Sequence, residues 1–129
     1  MPNPKTLILI DDDPLCIKII EVICKSILPD INILIFTDPK EGLAHLLRIA
    51  HGELPHCIVL LDLNMPKLSG WDILAALESK KEQFMQKCTL YIISTSLEIN
   101  DRLLAANNPM VSGFFEKTIT RLNLQHILR

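Results

Sequence analysis

No stretch of this chain approaches the ~20 consecutive apolar residues that a bilayer-spanning helix needs, and Met1 to Lys5 carry no basic region leading into a long apolar run. A cytoplasmic protein without membrane insertion is the expectation. Neither sign of charge is in excess: 13 Lys and Arg stand against 15 Asp and Glu, for a formal charge of −2. That balance offers no broad attraction for a polyanion, so direct nucleic-acid binding is not expected. Paired cysteine motifs are missing as well. Cys16, Cys24, Cys57 and Cys88 show no CxxC spacing and sit in apolar stretches, where a thiol behaves as a small hydrophobe, so they read as buried free thiols. There is no internal repeat, low-complexity tract or interdomain linker, and no G-x-G-x-x-G follows the first apolar run, which removes the dinucleotide-binding reading.

What is present is enough apolar material for a core: 49% of residues are hydrophobic and 22% charged. The length of 129 residues suits one domain, expected over 1–129 with no effector domain in the chain. Pro2 and Pro4 suggest a short extended lead-in. Five short apolar runs then recur, Leu7 to Ile10, Ile31 to Phe36, Cys57 to Leu61, Leu90 to Ile93 and Val111 to Phe115. They are too short for most helices and match buried strands. Helical spacing separates them, most clearly at Leu43, Leu46, Leu47 and Ala50, after Asp38 as a cap and Pro39 in the first turn. Further helices are expected over about Pro14 to Ile27, Trp71 to Phe84, Leu97 to Asn107 and Ile119 to Leu128. The order βαβαβαβαβα calls for an α/β domain, a doubly wound five-stranded parallel sheet with helices on both faces.

In such sheets ligands gather at the carboxyl ends of the strands. That rule selects Asp11, Asp12 and Asp13 after the first run, Asp62 after the third, Ser94, Thr95 and Ser96 after the fourth, and Lys117 after the fifth. Carboxylates brought together repel one another, and a divalent cation with oxygen ligands relieves the repulsion, which suggests Mg²⁺. Phosphoryl transfer needs an in-line nucleophile, a cation to neutralise phosphoryl oxygens and donors to position them. Asp62, Mg²⁺, Ser94 or Thr95, and Lys117 would supply those parts.

The run Leu61-Asp62-Leu63-Asn64-Met65-Pro66-Lys67-Leu68-Ser69-Gly70, the opening Leu9-Ile10-Asp11-Asp12-Asp13-Pro14 and the closing Gly113-Phe114-Phe115-Glu116-Lys117 together resemble a response-regulator receiver domain of two-component signalling. The resemblance extends from about Lys5 to the last helix and implies a flavodoxin-like strand order 2-1-3-4-5. It implies Asp62 as phosphoacceptor, Asp12 as a direct Mg²⁺ ligand, Asp11 assisting through water, and Asn64 contributing its backbone carbonyl. Ser94 matches the switch hydroxyl, with Thr95 the alternative one residue on. Lys117 matches the lysine that pairs with the phosphoryl group, and Phe114 the aromatic switch position. A histidine kinase or phosphotransfer protein would be the donor, and a downstream protein the target. The chain departs from the family at Thr118, where proline usually follows the lysine, often after a cis bond. A cis bond to a non-proline residue costs roughly 2.5–4 kcal/mol, which leaves the geometry at Lys117-Thr118 open.

Two other readings use the same residues. A phosphatase related to haloacid dehalogenases would employ the D-x-D of Asp11 and Asp13, with Asp11 as nucleophile. That reading leaves Asp62 and its loop unexplained and lacks room for a substrate cap. A receiver-like interaction module that signals without phosphorylation would keep the fold and use the acidic pocket structurally.

Overall fold

A computed structural model describes residues 5–52, 56–95 and 98–129. Pro2, Pro4, Ser96 and Leu97 therefore lie outside the described residues. Five strands, β1 (Thr6–Ile10), β2 (Asn32–Phe36), β3 (Cys57–Asp62), β4 (Cys88–Ser94) and β5 (Val111–Glu116), form one parallel sheet in the order β2-β1-β3-β4-β5. Among the described residues six α-helices connect and flank them: α1 (Pro14–Ile27), α2 (Pro39–Ala50), α3 (Gly70–Leu77), α4 (Lys81–Lys87), α5 (Ile99–Ala106) and α6 (Arg121–Ile127).

The strands alternate their side chains between two cores, as a pleated sheet covered on both faces must. Ile8, Ile10, Val59, Leu61, Leu90 and Ile92 face the side of α2, α3 and α4, where Leu46, Ile49, Ile73, Leu77 and Phe84 are buried. Leu7, Leu9, Ile58, Leu60 and Ile93 face α1 and α6, against Ile17, Ile20, Leu124 and Ile127. Every residue of β3 is buried, as expected for the central strand of such a sheet.

The single helix expected over Trp71 to Phe84 is instead delivered in two pieces joined by a 3-10 turn, Glu78–Lys80. Leu77 and Phe84 are both buried. In an unbroken helix, positions three and four after Leu77 share its face, so Lys80 and Lys81 would enter the core between them. The tighter turn rotates the chain and leaves both lysines partly exposed. The four cysteines are free and buried, as the sequence suggests.

The topology fixes where a site can form. Strand order reverses at β1 and β3, and both end at the same edge with Asp11 just beyond one and Asp62 closing the other.

Candidate functional site

The three aspartates after β1 separate into different environments. Asp11 is fully buried, and its backbone amide donates to Phe36 O at 3.1 Å, which extends the β1–β2 ladder by one residue. Asp13 caps α1: its Oδ1 accepts from the amides of Leu15 at 3.0 Å and Cys16 at 3.4 Å. Such a cap satisfies amides that the first helical turn leaves without partners. Asp12, between them, is exposed. One oxygen from each of Asp11, Asp12 and Asp62 can be chosen so that all three lie within 4.8 Å of one another.

Asp62 ends β3 and is only 2% exposed. Its Oδ1 accepts from the Asn64 amide at 3.2 Å. The following loop doubles back so that Gly70 N donates to Leu63 O at 3.0 Å, with Lys67 in the left-handed region at φ 71°. Ser69 and Asp72 then form a reciprocal cap that starts α3.

Ser94 is the last residue of β4 and is fully buried, whereas Thr95 is exposed. Asn64 Nδ2 donates to Ser94 Oγ at 3.1 Å, a contact that spacing along the chain does not reveal. Lys117 follows β5, its amide donates to Ser94 O at 2.9 Å, and the Lys117-Thr118 peptide is cis. The Lys117 ammonium reaches Asp11 at 3.0–3.1 Å and Asp62 Oδ2 at 3.3 Å, with its side chain 9% exposed. Asp11, Asp62, Ser94 and Lys117 are thus assembled from four strand ends.

Burial pushes the Asp62 carboxyl up to about 7, and the neighbouring Asp11 charge pushes in the same direction; Lys117 and the Asn64 amide oppose them. Burial alone would lower Lys117, but the Asp11 hydrogen bond and the charges of both aspartates outweigh it and leave its pKa raised. Asp11 Oδ2 is buried and, apart from the ion pair with the Lys117 ammonium at 3.0 Å, has no hydrogen-bond partner among the described residues. A buried carboxylate oxygen with spare acceptor capacity, beside two more carboxylates, is a hard-oxygen donor set that fits a divalent cation.

Phe114 is partly buried against the α2–α4 side of the sheet, with the Arg102 guanidinium 5.6 Å from its ring centroid. Arg102 also pairs with Glu116. Trp71 Nε1 donates to Asp101 Oδ1 at 3.2 Å, tying the start of α3 to α5. Sequence reasoning missed this link, because nothing local marks a partner 30 positions away.

The family model described as "Response regulator receiver domain" matches residues 7–129. The chain belongs to this family. It is therefore a receiver domain of two-component response regulators. A two-component response regulator from Cytophaga hutchinsonii superposes with a TM-score of 0.83 at 22% identity, covering 98% of this chain and 95% of that one. The phosphorylated cyanobacterial phytochrome response regulator RcpA gives 0.76 at 22% identity, over 98% and 90% of the two chains. The manganese-bound form of response regulator Rcp1 gives 0.75 at 20%, over 97% and 90%. At these identities the structures attest the fold, and the family model attests the family. A comparison with curated proteins finds no match. The phosphatase reading gains no support, and the second aspartate of its D-x-D motif is occupied as the α1 cap.

Proposed function

We propose that Asp62 is the phosphoacceptor of this receiver and that the reaction requires Mg²⁺. The observation that carries the proposal is a buried carboxylate at the end of the central strand, flanked by Asp11, Asp12 and the Lys117 ammonium. A carboxylate oxygen of Asp62 attacks phosphorus, the bond from phosphorus to the donor's leaving atom breaks, and the leaving group departs with the electron pair. Asp12, Asp62 and the Asn64 backbone carbonyl would hold the cation, with Asp11 assisting through water. Bound there, Mg²⁺ neutralises charge on the phosphoryl oxygens. Lys117 supplies a second positive charge, and Ser94 a hydroxyl for a phosphoryl oxygen, with Thr95 the alternative. The chain catalyses its own phosphorylation and dephosphorylation and acts on no other substrate.

A histidine kinase or phosphotransfer protein is the donor, and a downstream protein reads the result in the cytoplasm. A phosphoryl group adds charge and strong acceptors, so Ser94 and Lys117 interact differently with the two states, which is what shifts a conformational equilibrium. Phe114, beside Arg102 and α5, is the proposed reporter of that shift on the face formed by α5, β5 and α6.

The test is incubation with Mg²⁺ and a small phosphodonor, followed by mass spectrometry. An adduct on Asp62, lost in Asp62→Asn, is expected, and Asp12→Ala should weaken Mg²⁺ binding strongly in a titration. Labelling on Asp11 with Asp62 unmodified would sink the proposal. Absence of any adduct with metal bound would favour the phosphorylation-independent module.

A further inference from the structure

Cys57 and Cys88 open adjacent strands at the end of the sheet opposite the acidic pocket. They are register partners on the β3–β4 ladder, both are buried and free, and their sulfurs lie 3.3 Å apart. Neighbouring strands run about 4.7–4.9 Å apart, within the roughly 4.4–6.8 Å between Cα atoms that a disulfide spans. The backbone spacing is already suitable, and the sulfurs need to approach by only roughly 1.3 Å to reach the bonded distance. Cys16 and Cys24 have no comparable arrangement: they lie two turns apart on α1.

A small oxidant has space beside Cys57. Cys57 borders a cavity of about 130 Å³ on the α2 side of the sheet, lined also by Thr6, Asn32, Leu34, His45 and Ile49. Hydrogen peroxide, only modestly larger than a water molecule with its ~30 Å³ share of liquid volume, fits that space.

We propose that Cys57 and Cys88 form a redox-active dithiol that a small peroxide closes into a reversible disulfide across β3 and β4. The hydrogen bond shared with Cys88 holds the Cys57 thiol below its usual range against the opposing effect of burial. The same bond, with burial and the Cys57 charge, holds Cys88 well above its range. Cys57, which borders the cavity where Cys88 does not, is the attacking sulfur, and it attacks as the thiolate. Its sulfur attacks one peroxide oxygen, the O–O bond breaks, and a sulfenic acid and one water result. Cys88 then attacks the Cys57 sulfur, the S–OH bond breaks, and a second water leaves with the Cys88 proton. Two thiols are oxidised and one peroxide is reduced. The new bond ties the strand that ends in Asp62 to the strand that ends in Ser94.

The experiment treats the reduced full chain with hydrogen peroxide, alkylates free thiols in denaturant and maps non-reduced peptides by mass spectrometry. Oxidation of Met85, whose side chain is exposed, serves as the internal measure of dose. The expected result is a linked Cys57–Cys88 peptide that disappears on treatment with a dithiol reductant, while Cys16 and Cys24 remain alkylated. In Cys88→Ala, Cys57 should instead yield a sulfenic acid trapped by a 1,3-dione. The wild-type map decides the question even if that variant fails to fold. Cys57 and Cys88 both alkylated at a dose that oxidises Met85, or linked only between chains, would overturn the proposal.

Discussion

Gly70 lies so close to Asp62 that a Cβ built on it would stand 2.7 Å from the Asp62 carbonyl oxygen. The next obstacle, Leu63 Cα at 3.0 Å, is also backbone, so no side-chain rotation can relieve the clash. This approach gives the D-x-N-M-P-x-x-x-G pattern its physical meaning: the closing glycine lets α3 begin against the strand that carries the acidic group.

Gly70→Ala should therefore destabilise the fold by about 1–3 kcal/mol, the usual range for overpacking. It should also slow adduct formation, because displacing the loop moves Asp62. Urea unfolding measures the first effect, and a loss under about 0.5 kcal/mol would mean that the loop relaxes freely.

Asp62 makes stability depend on pH in the direction opposite to most carboxylates. Its folded pKa of about 7 lies above its ordinary value of 3.8, so the folded state holds the proton more tightly. The stabilising contribution is complete below the ordinary value and is lost as pH rises through about 7. Without divalent cations, Asp62→Asn should be more stable than wild type at pH 8, on the order of 2 kcal/mol, with the gap much narrower at pH 5 and closing only toward the ordinary value of 3.8. Thermal unfolding at the two values checks this.

Lys117 holds two buried carboxylates in place at 3.0–3.3 Å. Replacing it with Met leaves Asp11 and Asp62 facing each other without their cation. The loss should be roughly 3 kcal/mol at pH 8, as when one partner of a buried pair is removed. Protonation relieves the repulsion, so stability should recover toward pH 6, and added Mg²⁺ should recover it at pH 8. A Tm deficit independent of both pH and Mg²⁺ would assign Lys117 a packing role instead.

The Asn64–Ser94 hydrogen bond separates two neighbouring hydroxyls. Ser94→Ala leaves a side-chain amide without its acceptor beside the pocket, whereas Thr95→Val alters an exposed group. NMR with and without a phosphoryl mimic should show the response at Phe114 and α5 reduced in Ser94→Ala and preserved in Thr95→Val. The reverse result would transfer the switching role to Thr95, and a response confined to the pocket in the wild type would remove Phe114 from the route.

Much of this architecture was legible along the chain, because buried parallel strands read as apolar runs and the capped, periodic α2 reads as a helix. Leu7 to Ile10 and Cys57 to Leu61 marked β1 and β3, and the polar residues that follow them met at the strand ends as the topology requires. Other features depended on contacts between residues distant in sequence. The break after Leu77 arises because one face must accept Leu77 and Phe84 while rejecting two lysines, a condition set by the sheet beneath. Asp13 became a helix cap and Asp11 a buried pocket residue although they stand two positions apart, because α1 leaves the sheet between them. The bond from Asn64 to Ser94, the link from Trp71 to Asp101 and the 3.3 Å approach of Cys57 to Cys88 join residues some 30 positions apart. Residue identity supplies the donors and acceptors, but only strand register and helix packing decide which of them meet.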